Sequence, residues 1–173
     1  MKITLNELLS NINKVKAGQQ VLLSGTIYTA RDAAHKRISD SISKGGNLPF
    51  RLEGSAIYYC GPSPAKPGEV IGACGPTTSS RMDAWTPLML AHGVKVLIGK
   101  GKRSKEVVAS IKKNKAVYFV ATGGVAALLS KTVKKASLIA FKDLGPEAIY
   151  KLEVEDMPLI VSVDAGGKNI FSE

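Results

Sequence analysis

From Gly93 onward the chain alternates between two kinds of apolar pattern. Residues 94–98, 116–121 and 136–141 are short apolar runs that read as strands, whereas 103–113 and 124–132 carry helical spacing. A strand apolar on both faces has to be covered on both. A helix between two such strands supplies that cover and leaves room for parallel pairing. This half of the chain is therefore expected to form an α/β layer with a mixed sheet.

The flanking regions are richer in strands. Val21 to Tyr28 is a β-rich run, followed by a helix over 30–43 whose buried stripe is Ala34, Ile38 and Ile42. Thr29-x-x-Asp32 reads as a variant capping box at its start. Ala56 to Tyr59 and Val70 to Ala73 read as short strands, and Ile149 to Val154 and Leu159 to Val163 as two more around Met157-Pro158. The Ala165-Gly166-Gly167-Lys168 turn then closes a hairpin near Ile170-Phe171. Residues 4–13 carry a short helical pattern through Leu5, Leu8, Leu9 and Ile12. Thr86 is expected to cap a helix that has Pro87 at its first position, with Met82, Trp85 and Met89 as core. Residues 61–68, with three prolines and two glycines, form a rigid connection rather than a boundary. Residues 1–173 thus read as one domain with β/β/α layers.

Twenty-four Lys and Arg against 14 Asp and Glu give a net charge of +10, which calls for an anionic partner. The candidates are a nucleic acid, an acidic protein surface or a charged substrate. Aromatic residues for base stacking are few, at 6%. No apolar run approaches a membrane span, and the N-terminus lacks a signal-peptide core, so the expected location is the cytoplasm with no membrane partner. Cys60 and Cys74 lack metal-site spacing and each precedes Gly-Pro. A disulfide between them is possible in principle, but in a cytoplasmic chain they are expected as free buried thiols at strand ends, with no metal bound by this chain.

Three segments place a cation at a strand-to-helix junction, where ligands gather in open α/β sheets. In Gly75-Pro76-Thr77-Thr78-Ser79-Ser80-Arg81-Met82-Asp83 a turn precedes four hydroxyls and what reads as a helix start. Free N–H groups and the helix dipole favour an anion there, and Arg81 adds a fork matching a carboxylate. Upstream, Arg31 and His35 are four apart and share a helix face beside the strand ending at Tyr28. Asp32 reads as a cap and a partner for Lys36. In Ile98-Gly99-Lys100-Gly101 a lysine sits between glycines, without P-loop or dinucleotide spacing. Two guanidiniums and an ammonium suit a small di-acid better than a long polyanion. No nucleophile or acid–base pair accompanies them, so the chain reads as half an active site.

SGTIYTARDAAHKR, GPSPAKPG, GACGPTTSSRMD, IGKG and DLGPEAIYKLEVEDMPLIVSVD together resemble the β region of class I fumarases and L-tartrate dehydratases, from about residue 17 to the end. Ser80 departs from that pattern, where a smaller residue is expected. The resemblance implies a swivelling β/β/α domain and the β subunit of a two-subunit hydro-lyase. It implies a 4Fe-4S cluster held by three cysteines of the partner α subunit and none here. It implies Arg31, Arg81 and Lys100 as substrate-carboxylate ligands, Thr77 in proton transfer, and Thr78 and His35 in support. Fumarate hydration to (S)-malate is the first expected activity and tartrate dehydration its sibling. An α2β2 heterotetramer or a homodimer is the expected assembly. The readings from other classes are a basic nucleic-acid-binding module and a regulatory carboxylate-binding domain.

Overall fold

A ring of five strands organises the molecule. The computed structural model describes residues 1–121 and 126–171. Its strands are β1 (Lys2–Thr4), β2 (Gln20–Thr29), β3 (Ala56–Tyr58), β4 (Val96–Gly99), β5 (Val117–Val120), β6 (Val133–Ala140) and β7 (Ile149–Val163). Pairing from β1 through β5 is parallel in sequence order. The antiparallel β7 then pairs with both β5 and β2, so the path β2–β3–β4–β5–β7 returns to its start. β1 and β6 hang on this ring, on β2 and β7 respectively.

The helices are α1 (Leu5–Ser10), α2 (Asp32–Ser43), α3 (Thr86–Ala91), α4 (Lys105–Asn114) and α5 (Ala126–Thr132). Alternation along each strand divides the core into two clusters. Ile57, Leu97 and Tyr118 pack with Ile38 of α2, Met89 of α3 and Ile111 of α4. A five-stranded ring is too narrow to hold a helix, so this helix-covered face is the outer one. Tyr58, Ile98, Phe119 and Leu152 point the other way, and Leu8, Ile12 and Leu129 join them.

Several expectations change in detail. The two strands expected around Met157-Pro158 are one, β7. Pro158 faces Leu22, whose N–H is turned to the Met1 carbonyl, so this is a non-hydrogen-bonded pair. The proline nitrogen therefore points to the other edge, in the gap between the β6 pairing ending at Val154 and the β5 pairing starting at Ile160. No ladder bond is lost there. Residues 70–73 form no strand. Gly72 instead lies so close to the Ser63 carbonyl that a Cβ would sit 2.4 Å from it, and Ser63 N–H bonds the Ala73 carbonyl. The 4–13 helix is shorter than its pattern. Thr4 ends β1 and caps α1 reciprocally with Glu7, and Ile12–Lys14 is a 3₁₀ turn. Residues 124–125 of the expected 124–132 helix lie outside the described residues. The final hairpin is a turn closed by one bridge, Val163 to Asn169.

Both expected caps near the junctions are replaced. Thr29 ends β2, where its hydroxyl accepts from Tyr150 N–H at 3.0 Å. The residue flanking α2 is Arg31, and a first-turn N–H, that of Ala33, is met by Glu147 from a distant segment at 3.4 Å. Thr86 lies inside α3, its hydroxyl donating to the Met82 carbonyl at 2.8 Å.

Candidate active site

Consecutive parallel strands end side by side. Ala30 N–H bonds the Tyr58 carbonyl and Tyr59 N–H bonds the Ile98 carbonyl, which keeps the chain in register just beyond β2, β3 and β4. This rim brings the three cationic segments together. Arg31 follows β2, and Lys100 follows β4. The 75–83 segment crosses between them. Thr77 N–H bonds the Tyr59 carbonyl at 2.6 Å, Thr78 bridges Lys100, and Ser79 N–H bonds the Lys100 carbonyl at 3.0 Å. Lys100 N–H in turn donates to Ser79 Oγ at 3.0 Å. A Cβ on Gly99 would lie 1.9 Å from that Oγ and 2.7 Å from the Tyr59 ring, so only glycine lets the segment close on β4.

The helix expected to begin over residues 77–80 is a single 3₁₀ turn, Ser79–Met82, and Thr78 makes no side-chain cap. One such turn sums little dipole, so any anion here is held by side chains rather than by a helix terminus. Arg81 supplies the clearest contact. Its Nε donates to Asp32 Oδ1 at 2.9 Å, and Arg31 Nη2 lies 3.8 Å from Asp32 Oδ2. Asp32 therefore partners the two arginines, not Lys36 as its spacing suggested. Arg31 Nε also lies 3.9 Å from Glu147 Oε1. Glu147, which lies within the DLGPEAIYK motif but is not singled out by the sequence as a site residue, arrives from the 3₁₀ segment Lys142–Glu147.

His35 is fully buried beneath this cluster. Its Nδ1 is 2.8 Å from the Arg31 carbonyl, and a carbonyl only accepts, so Nδ1 carries the proton. Burial pushes its pKa down to about 4, with Arg103 adding to the shift and the Arg31 hydrogen bond opposing it. The ring is thus neutral at physiological pH and presents Nε2 as a lone-pair acceptor. Arg31 Nε, Asp32 Oδ2 and His35 Nε2 are all buried without a hydrogen-bond partner among the described residues.

Behind this open cluster stands a closed one. The Arg103 side chain is wholly buried, donating from Nε to Asp83 Oδ1 at 2.7 Å, from Nη1 to Tyr59 at 3.2 Å and from Nη2 to Thr86 at 2.7 Å. Its guanidinium lies over the Tyr59 and Tyr118 rings. Burial opposes its charge, yet Tyr59 and Asp83 more than offset this and hold its pKa above the ordinary arginine value. Tyr118 Oη sits 2.9 Å from both the Gly101 carbonyl and Ser79 Oγ. The carbonyl only accepts, so the phenol donates there and receives from Ser79, which ties the closed cluster to the rim. In the sequence Arg103 is one of a basic run, and only its being arginine among lysines sets it apart.

The chain also matches proteins of known type. The family described as Fumarase C-terminus matches residues 1–173. Putative L(+)-tartrate dehydratase subunit beta of Methanocaldococcus jannaschii is 40% identical over 180 residues, covering 100% of this chain and 92% of that protein. The chain belongs to the Fumarase C-terminus family. Fumarate hydratase 2 of Leishmania major is 37% identical over 175 residues, and Fumarate hydratase class I, anaerobic, of Escherichia coli (strain K12) is 35% identical over 179. All of this chain aligns with each, but it spans only 31% and 33% of their lengths. It thus corresponds to about a third of those two proteins and to nearly the whole of the Methanocaldococcus jannaschii subunit.

Iron–sulfur clusters are held by cysteine thiolates. Cys60 and Cys74 are buried and face one another, and no three His, Cys, Asp or Glu side chains group as a metal site among the described residues. The described residues therefore do not fit a 4Fe-4S cluster. Cys60 lies just beyond β3 as expected, whereas Cys74 follows no strand. No helix is long and apolar enough to cross a membrane among the described residues.

Proposed function

We propose that this chain is the β subunit of a two-subunit hydro-lyase that reversibly hydrates fumarate to (S)-malate. The observation that carries the reading is the convergence of Arg31 and Arg81, from two different junctions, on the single carboxylate of Asp32. A rim that presents two guanidiniums to a carboxylate, with unmet polar atoms beside them, is suited to a dicarboxylate. Each charge-assisted bond contributes about 1.5–3 kcal/mol where solvent is excluded. In this reading Arg31, Arg81 and Lys100 hold the substrate's carboxylates. Thr77, held on the rim by its N–H bond to the Tyr59 carbonyl, moves the proton at carbon, a role that requires nearby positive charge to lower the cost of its ionised form. Thr78 steers the segment through its bridge to Lys100, and neutral His35 supports the Arg31 backbone.

Residues 1–173 act as one unit, a swivelling β/β/α domain that closes on an α subunit in a cytoplasmic α2β2 assembly. The 4Fe-4S cluster belongs to that α subunit and supplies Lewis-acid chemistry at the substrate hydroxyl. The fumarate hydratases among the relatives support the reaction class, and the subunit-length relative supports the split architecture. That same relative favours a second reading, L-tartrate dehydration, which differs by one substrate hydroxyl. A nucleic-acid module does not account for two arginines directed at an acidic residue on a strand-end rim.

The test is anaerobic co-expression with the α subunit, followed by assays with malate, fumarate and tartrate. Activity that needs both chains supports the proposal, and the preferred acid selects between its two forms. A cluster-loaded complex that neither hydrates fumarate nor dehydrates malate or tartrate overturns it.

A further inference from the structure

The proposed reaction makes no use of the two cysteines, yet the fold places them in contact. Cys60 and Cys74 are 14 positions apart, buried and not joined by a disulfide, with sulfurs 2.7 Å from one another. Three hydrogen bonds zip their segments together: Ser63 N–H to the Ala73 carbonyl, Tyr58 hydroxyl to the Cys74 carbonyl, and Thr77 N–H to the Tyr59 carbonyl. Residues 63–70, which connect them, are all exposed. The pair therefore sits at the neck of a solvent-facing loop, packed with Ile71 against Tyr58 and the rest of the inner core. A sulfur–sulfur bond of ~2.0 Å needs the two atoms to close by only about 0.7 Å.

We propose that Cys60 and Cys74 form a reversible dithiol–disulfide site, oxidised by hydroperoxide, that pins the Thr77 segment to the end of β3. Cys60 loses its proton and its sulfur attacks one peroxide oxygen. The O–O bond breaks, giving a sulfenic acid and, after protonation, one water. The Cys74 sulfur then attacks the Cys60 sulfur; the S–S bond forms as hydroxide leaves and takes the Cys74 proton as a second water. Two thiols are oxidised and one peroxide is reduced to two waters.

Burial, with the Cys74 contact, pushes the Cys60 thiol well up, and the Arg31 charge opposes that shift. Attack is accordingly slow and runs through loop opening. The linkage joins residues on either side of the proposed site: Gly61 abuts Arg31, where a Cβ would lie 3.1 Å from its side chain, and Cys74 is three residues before Thr77.

The experiment treats the folded 173-residue chain with graded hydrogen peroxide, then counts free thiols under denaturing conditions and maps peptides by mass spectrometry. The expected result is joint loss of both thiols, a peptide joining Cys60 to Cys74, recovery with dithiothreitol, and a Tm raised by roughly 5–10 °C in the oxidised form. In Cys74→Ser, Cys60 halts at the sulfenic acid and takes a dimedone label. Retention of both thiols, independent over-oxidation, or crosslinks only between chains overturns the proposal, and the wild-type measurement decides this even if the variant does not fold.

Discussion

Two arginine–aspartate clusters lie on neighbouring parts of this molecule and differ in one respect. Around Arg103 each guanidinium nitrogen has a partner, two rings cover its faces, and Asp83 also accepts from Ser104 N–H at 2.8 Å. Around Arg31 and Arg81 the accounting is open, with Arg31 Nε, Asp32 Oδ2 and His35 Nε2 all unmet. A satisfied buried ion pair has no capacity left for a ligand. An unsatisfied one at the ends of parallel strands has that capacity, and this assigns the first cluster to architecture and the second to the proposed chemistry.

The largest effect is expected from breaking the closed cluster. Arg103→Ala removes the buried countercharge of Asp83 and the donor to Thr86, and is expected to destabilise the fold by about 3–5 kcal/mol. Denaturant unfolding followed by circular dichroism measures it, and a loss below ~1 kcal/mol would show that the closed cluster is dispensable.

His35 gives the next effect, read through pH. Its folded pKa of about 4 lies below the unfolded value of ~6.5, so the unfolded chain binds more protons between those pH values. Its contribution is therefore present above about pH 6.5 and is lost as pH falls toward about 4, amounting to roughly 3 kcal/mol at most. A stability-against-pH curve should lose this slope in His35→Gln. An unchanged curve would mean the ring is solvated in the native state.

Arg81→Lys probes the open cluster. A lysine keeps the charge but not the fork, so fold stability should hold while KM for the dicarboxylate rises about 10–100-fold in the assembled enzyme. Steady-state kinetics beside a melting curve separates the two. A shifted Tm with unchanged KM would move Arg81 from the open cluster to the closed class.

The contrast also shows what the sequence could convey. The alternation after Gly93 and the positions of Arg31, Arg81 and Lys100 were legible because strand period, helix period and junction chemistry are local. Closure of the ring was not, because β7 meets β2 across more than a hundred residues, as in the Gln20–Ile160 pair. The same distance hid the α2 cap: Thr29 looked like a local cap, but its hydroxyl serves Tyr150 while Glu147 takes the helix terminus. Arg103 stood in a run of solvated lysines, and its inward turn depends on Asp83 and Thr86 from another segment. Pro158 looked like a break because its gap opens only where β6 has ended and β5 not yet begun.

Glu147 sharpens the comparison with the smallest expected effect. Its carboxylate accepts from Ala33 N–H at 3.4 Å and lies 3.9 Å from Arg31 Nε, both long contacts, and its side chain is 31% exposed. If the open cluster were a completed ion network like that of Asp83, Glu147→Gln would cost several kcal/mol by stranding Arg31. Because Arg31 Nε is already without a hydrogen bond, removing the charge takes away only a screened attraction, and the amide oxygen can still meet the helix terminus. The expected loss is below about 1 kcal/mol by denaturant unfolding. Loss of a screened anion beside Arg31 also leaves more of its charge for a substrate carboxylate, so KM should fall slightly or hold. A large destabilisation with KM unchanged would place Glu147 in the architecture and leave Arg31 as a structural residue.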